Sequence, residues 1–376
     1  MIRTQTDRAW IELDMGALRR NVGALRTLLP SGCELMPAVK ADAYGHGARA
    51  VAAALSAMGV RAFCVASAEE GAELREANIN GEILVLGYTH PHQFPLLREY
   101  GLTQTILDGE YAAEIDAFGQ PLTGHVKVDT GMHRLGEGAE HPDRIAEIFA
   151  RKNLRVTGIF THLCAAESTD EASRALTRRQ ADAFRGVIDY LEGLGISCGK
   201  KHLLASGGLL NYPCLGGDYA RTGIALYGVL STRKARESCP VPLQSVLSVK
   251  ARVAAVREIG AGEGVGYGWK YVARRGTRIA VITAGYADGI PRSLSCGVGS
   301  VLIRGRRAPV LGSICMDQLI ADISEIPGTA RGDVAVLLGK SGGEEITVYD
   351  IAEQTGTITN EILSRLGPRL GVRVLT

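Results

Sequence analysis

From residue 34 onward, short apolar runs alternate with segments of helical spacing. "ELMPAVKA" reads as a buried strand and "GARAVAAALSAMGV" as the helix after it. The alternation continues with "AFCVAS" before "AEEGAELREA", "EILVLGY" before "PHQFPLLREY", and "TQTILD" before "EYAAEIDAF". "GHVKVDTG" then precedes "HPDRIAEIFARK", "VTGIFTHL" precedes a long helix over 170–193, and "KHLLAS" precedes "GGLLNYP", with "IALYG" closing the run. Apolar strands followed by amphipathic helices imply parallel βα units. About eight of them in roughly 230 residues is the count of a (β/α)8 TIM-type barrel. After Pro240 the texture changes: "QSVLSVKARVAAVREI", "TRIAVITAGYA", "SVLIRGRRAPVLGSI" and "DVAVLLG" are strand-like, separated by turn residues and interrupted by few helices. The expected layout is an α/β barrel domain over 1–240 and a mostly β domain over 241–376.

Composition narrows the classes. With 46% hydrophobic and 22% charged residues the chain has a soluble globular balance, which excludes a disordered one. A formal charge of +2 leaves no basic stripe, so no nucleic-acid partner is expected. The eight cysteines form no Cys-x-x-Cys pair, so neither a metal site nor a disulfide framework is expected, and a cytoplasmic setting fits. "MIRTQTDRAWIELDM" reads as neither a secretory leader nor a membrane span, and no run of about 18 apolar residues follows. No membrane contact by this chain itself is expected.

Candidate chemistry begins at Lys40, in "AVKADAYGHGA" at the C-terminal end of the first barrel strand, the catalytic face of such barrels. On position alone it reads equally as a rim lysine snorkelling toward Asp42. Late in the barrel, "ASGGLL" places Ser206 before two glycines at a strand-to-helix turn, and "RTGIAL" places Gly223 in the same setting. Turns of this kind offer backbone N–H groups to a phosphate, and the loops after strands seven and eight are where barrels hold one. A lysine on an early strand with phosphate loops on the last two suggests a phosphorylated aldehyde held as a Schiff base, namely pyridoxal 5'-phosphate on Lys40.

At this point the residues acquire a family. "AVKADAYGHGA", "VKVDTGMHRLG", "RTGIALYG", "GVGYGW" and "GSICMDQ" resemble, in order and spacing, the signatures of bacterial alanine racemases over essentially the whole chain. The resemblance implies a two-base racemase in which Lys40 and Tyr267 act on opposite faces of the substrate's α-carbon. Read alone, Tyr267 is an aromatic packed in a glycine-rich turn. It acts as a base only where a neighbouring cation lowers its pKa. The family places this tyrosine in the partner's site, so a homodimer with shared active sites is implied. Arg221 matches the arginine facing the cofactor's ring nitrogen, where barrel-type decarboxylases carry a carboxylate. Arginine keeps its protons, so the ring stays a weak electron sink. By the same resemblance Arg134 lies near the substrate carboxylate, supported by Lys127, a lysine often carbamylated in the family. His162 packs on the cofactor ring, and Tyr44, Ser206, Gly223 and Ile224 hold its phosphate. Met316 and Asp317 approach the substrate.

Two positions depart from the family pattern. Ala205 stands where an asparagine usually precedes Ser206, and Asn360 stands where a tyrosine usually walls the pocket beside the substrate methyl. A carboxamide for a phenol opens space and adds a donor and an acceptor, the two things a serine hydroxyl needs. The same asparagine occurs in the serine/alanine racemases of vancomycin resistance (the VanT type), whose racemase unit follows a membrane domain. The expected function is therefore interconversion of L- and D-serine, and of L- and D-alanine. By analogy the products serve cell-wall precursors, and this chain would be the cytoplasmic part of a membrane-anchored parent. An ordinary alanine racemase, a barrel-type decarboxylase and a single-barrel cofactor-binding protein are the alternatives. Read alone, Asn360 is the N-cap of the helix "EILSRL".

Overall fold

Parallel pairing runs unbroken around one ring of strands. Ala62–Val65 pairs with Glu82–Val85, then Thr103–Ile106, Leu122–Asp129, Leu154–Phe160 and Lys200–His202 follow in order. Leu204–Ala205 continues the seventh strand and pairs with Tyr219–Arg221, which pairs with Glu34–Leu35. Ala38 bridges to Cys64 and closes the barrel. The first strand is short because Pro37 lacks an N–H, yet it is bonded on both sides: Met36 and Ala38 N–H donate to Ala220 and Thr222, and Cys64 N–H donates to Pro37. The computed structural model describes residues 8–375. Residues 1–7, part of the N-terminal stretch read as neither leader nor span, and residue 376 lie outside the described residues.

The expected helices follow these strands, among them Ala48–Ala57, Ala68–Glu76, Gly109–Ala117 and Glu171–Gly193. Their starts are written locally. Ser67, Asp108 and Asp170 each accept a hydrogen bond from a first-turn N–H with a side-chain oxygen. After the last strand come a 3₁₀ turn, Ile224–Tyr227, and one short helix, Arg233–Glu237.

The second region is also closed. Leu247–Ile259, Thr277–Ile282, Leu319–Asp322, Arg306–Leu311, Ser300–Ile303 and Val334–Ser341 pair antiparallel in that order, and the last returns to the first. Leu247–Ile259 reaches both neighbours through an irregularity between Val253 and Ala255. Ala9–Asp14 pairs with this same long strand and with Gly371–Leu375. The first described strand therefore lies in the second sheet although its sequence position is N-terminal. Two short helices, Val348–Thr355 and Thr359–Ser364, precede its last strand, Gly371–Leu375. The second rests on the barrel beside Lys40. A Cβ on Gly45, at φ +78°, would stand 2.3 Å from the Leu363 carbonyl oxygen. Among the described residues no helix is long and apolar enough to cross a membrane.

Candidate active site

The turn after the first strand is unusual. Ala41, Asp42, Ala43 and Tyr44 are consecutive left-handed residues, with φ of 51°, 53°, 55° and 53°. Such backbone costs roughly 1–2 kcal/mol per non-glycine residue, so neighbouring contacts must hold it. Glu70 accepts from Ala41 N–H at 2.8 Å and Ala66 N–H at 2.6 Å, while Asp42 accepts from Ala48 N–H at 2.8 Å. Tyr44 packs on Tyr227 at 5.4 Å between ring centres. The turn thereby delivers two side chains, Lys40 and Tyr44, into one cavity of about 420 Å³ at the strands' C-terminal ends.

Ten of the thirteen predicted residues line that cavity. Besides Lys40 and Tyr44 these are Lys127, Arg134 and His162 from the middle of the barrel, and Ser206, Arg221, Gly223 and Ile224 from its last two units. Asn360 comes from the second region's terminal helix. Its capping role is not found: Ile358 is the N-cap and Thr359 the first helical residue, which leaves the half-buried Asn360 carboxamide on the cavity wall. Ala205 lines the cavity too, where a polar side chain was expected to be missing.

The cavity is strongly cationic. Arg221 is buried, donating to Thr161 O at 2.6 Å and His202 O at 3.1 Å. Burial lowers its pKa to about 10, so it stays charged at neutral pH. Burial first and Arg221 second push Lys127 down to about 7, its Nζ donating to Val128 O at 2.7 Å. Burial, and then Arg134, lower Lys40. His162 falls to about 3 through burial and Arg221, so it is neutral. Arg134 sits on a loop that Asp129 organises by accepting three successive N–H groups, from Gly131, Met132 and His133. Amines of lowered pKa among guanidinium groups suit attack on a carbonyl carbon and binding of an anionic substrate.

The turns at Ser206 and Gly223 fit a phosphate. Ser206 Oγ accepts from Gly223 N–H at 2.9 Å, which joins the last two loops. A Cβ on Gly223 would meet Tyr44 Oη at 2.7 Å, and one on Gly207 would meet Glu167 Cγ at 2.7 Å. Both glycines keep backbone open where a ligand must approach closely. A lysine, a phosphate cradle and a buried guanidinium within one cavity fit pyridoxal phosphate.

Tyr267, Met316 and Asp317 are not brought to this cavity. Tyr267 is 73% exposed and Met316 52% exposed. Trp269 and Val272 are exposed close to Tyr267 in sequence, and Tyr286, whose N–H donates to Cys315 O, is exposed beside Met316, an unusual amount of aromatic and apolar surface. Asp317 pairs with Arg369 at 2.6 Å.

Sequence reasoning missed Glu70, which braces the lysine turn, and Glu167, which lines the cavity and accepts from Ser231 Oγ at 2.9 Å. Glu70 carried a weak signal, standing three residues after the cap Ser67; Glu167 carried none.

Comparison with known proteins adds relatives to this geometry. The family model for "Alanine racemase, N-terminal domain" matches residues 13–231, and that for "Alanine racemase, C-terminal domain" matches 246–374. An amino-acid racemase of Enterococcus faecalis is 42% identical over 98% of this chain and 52% of its own length. A serine/alanine racemase of Enterococcus gallinarum is 38% identical over 99% of this chain and 52% of its own length. The chain thus spans about half the length of these relatives. It covers 95% of an alanine racemase of Halothermothrix orenii, also 38% identical, over 96% of this chain. Among solved structures, alanine racemase from E. faecalis superposes with TM-score 0.90 at 31% identity, covering all of both chains. That from Bartonella henselae, solved with covalently bound pyridoxal phosphate, gives 0.85 at 30% identity over 98% of this chain and 100% of its own.

Proposed function

The chain belongs to the alanine racemase family, and from that premise we propose that it is a pyridoxal-phosphate-dependent amino-acid racemase turning over serine as well as alanine. The observation that carries this reading is the gathering of Lys40, Arg221, Ser206 and Gly223 around one cavity. Pyridoxal phosphate, when bound, supplies the electron-withdrawing ring that acidifies the substrate's α-hydrogen. Lys40 Nζ would hold the cofactor's aldehyde group and would move the α-proton on one face. Tyr44, Ser206 and the backbone at Gly223 and Ile224 would hold the phosphate, His162 would flank the ring, and Arg134, with Lys127 beside it, would draw the substrate carboxylate. Arg221 would serve the ring nitrogen while keeping its own proton, which would favour return of a proton to the α-carbon over other fates. Tyr267, Met316 and Asp317 reach the cavity of a second copy, which makes the working unit a homodimer; their exposure in the single chain supports this. The deciding experiment is α-hydrogen exchange in deuterated water with chiral analysis of the product. Carbon dioxide release without inversion would replace the racemase reading with a decarboxylase.

Serine acceptance rests on Asn360. Its half-buried carboxamide supplies a donor and an acceptor where the family's tyrosine would fill space. Asn360→Tyr should shift the serine-to-alanine ratio of kcat/KM toward alanine by about tenfold or more. An unchanged ratio removes Asn360 from the argument. The phosphate cradle predicts that Gly223→Ala, whose methyl meets Tyr44 Oη, weakens cofactor binding by about tenfold or more. Titration of the apoprotein with pyridoxal phosphate measures it.

A further inference from the structure

Arg221 is buried, and among the described residues it has no direct carboxylate partner. A buried cation normally needs one. The nearest candidate along its contacts lies at the other end of the barrel. Arg221 Nη1 stands 2.6 Å from His202 Nδ1, and His202 Nε2 stands 2.9 Å from His125 Nδ1. His125 Nε2 stands 3.0 Å from Glu82 Oε1, a close contact with bent geometry. Glu82 opens its strand, at the barrel end away from the cavity, and Thr103 Oγ1 donates to it at 3.3 Å. Both histidines are fully buried.

The hydrogens in this chain have one consistent arrangement. A guanidinium only donates, so His202 Nδ1 must accept and its single proton sits on Nε2. That proton points at His125 Nδ1, which must also accept, so the second ring is neutral with its proton on Nε2. The last proton faces the carboxylate. Burial and Arg221 hold His202 well below the usual histidine range, in keeping with a neutral ring. The packing fits a fixed device. Phe160 lies flat on His202 at 4.9 Å and 5°, and a Cβ on Gly158 would stand 2.7 Å from His125 Nε2.

We infer that Glu82 is a positioning residue for the reaction, fixing through His125 and His202 the proton arrangement that holds Arg221 in the cavity. The inference rests on the reading above that Arg221 faces the cofactor's ring nitrogen. Without the carboxylate, the His125 proton is held on Nε2 from one side only, by the hydrogen bond that Nδ1 accepts from His202. A proton on Nδ1 would face His202 Nε2–H, and relief of that clash moves the His202 proton to Nδ1. Two donors would then oppose each other at the Arg221 contact and turn the guanidinium away.

The test uses Glu82→Leu and Glu82→Asp with 15N-labelled histidine, in the apoprotein and with pyridoxal phosphate bound; leucine, unlike glutamine, leaves no acceptor facing His125 Nε2. In the unaltered protein both rings should be neutral with hydrogen on Nε2. Glu82→Leu should change the His202 tautomer and lower kcat by about tenfold, as loss of an outer-shell partner does, with KM within about twofold. Glu82→Asp should keep the tautomer and most of kcat. A His202 signal unchanged in Glu82→Leu, or an Nδ1–H tautomer at either ring in the unaltered protein, overturns the inference. The second result decides it even if Glu82→Leu does not fold. The ring signals need no turnover. Expected tautomers in a protein that fails to racemise would therefore sink the proposed activity and not the relay.

Discussion

Replacement of Lys40 by alanine is expected to reduce racemisation by about 10⁴-fold or more and to abolish the visible absorbance of a lysine-bound cofactor. One amine performs both covalent capture and proton transfer, so neither step survives its loss. Lys127 is the other lysine lining the cavity, and burial lowers its pKa as it does that of Lys40. Titration therefore does not distinguish the two; geometry does. Lys127 Nζ is committed to the Val128 carbonyl at 2.7 Å and lies 5.6 Å from the centre of the Phe160 ring. Lys40 follows the first strand on a braced left-handed turn and faces the open cavity. Lys127→Ala should accordingly keep the absorbance and its sensitivity to borohydride. Visible absorbance retained by Lys40→Ala and lost in Lys127→Ala would reverse the assignment.

The barrel was legible because buried parallel strands are continuous apolar runs and the helices between them begin at Ser67, Asp108 and Asp170, residues that cap by their own chemistry. Nine of the ten cavity residues were legible because their motifs follow barrel strands, and a barrel brings those strand ends together whatever the loops do. Pairings between distant parts of the chain were not. Ala9–Asp14 joins Leu247–Ile259 across more than two hundred residues, and nothing in "AWIELD" names its partner. The left-handed turn was hidden because Ala41, Ala43 and Tyr44 are not residues such backbone prefers; its support comes from Glu70, on another helix. Asn360 was misread locally for a related reason. A cap is judged from neighbours in sequence, whereas its place on the cavity wall follows from packing of Thr359–Ser364 against the turn at Gly45. The histidines of the barrel interior carried no motif, since directionality emerges only when Arg221, His202, His125 and Glu82 are seen in line.

Tyr267→Phe should retain the visible cofactor absorbance and exchange the α-hydrogen of one enantiomer with solvent, while inversion falls by about 10²–10⁴-fold. A phenylalanine keeps the ring and its packing but has no proton to move, so one face of the substrate loses its acid and base while the Lys40 face still works. The exposure of Tyr267 at 73%, outside the cavity of its own chain, adds a second expectation. If the tyrosine serves the other copy of a symmetric pair, Lys40→Ala and Tyr267→Phe protomers mixed and allowed to re-associate should complement each other. Each mixed dimer combines one site with both defects and one site with none. Random pairing of equal amounts makes half the dimers mixed, so about a quarter of wild-type sites are restored. Recovery near that level requires a residue supplied across the interface. A mixture as inactive as its parents would place Tyr267 outside the partner's site, and the second base would then have to be sought among the residues that line the cavity within one chain.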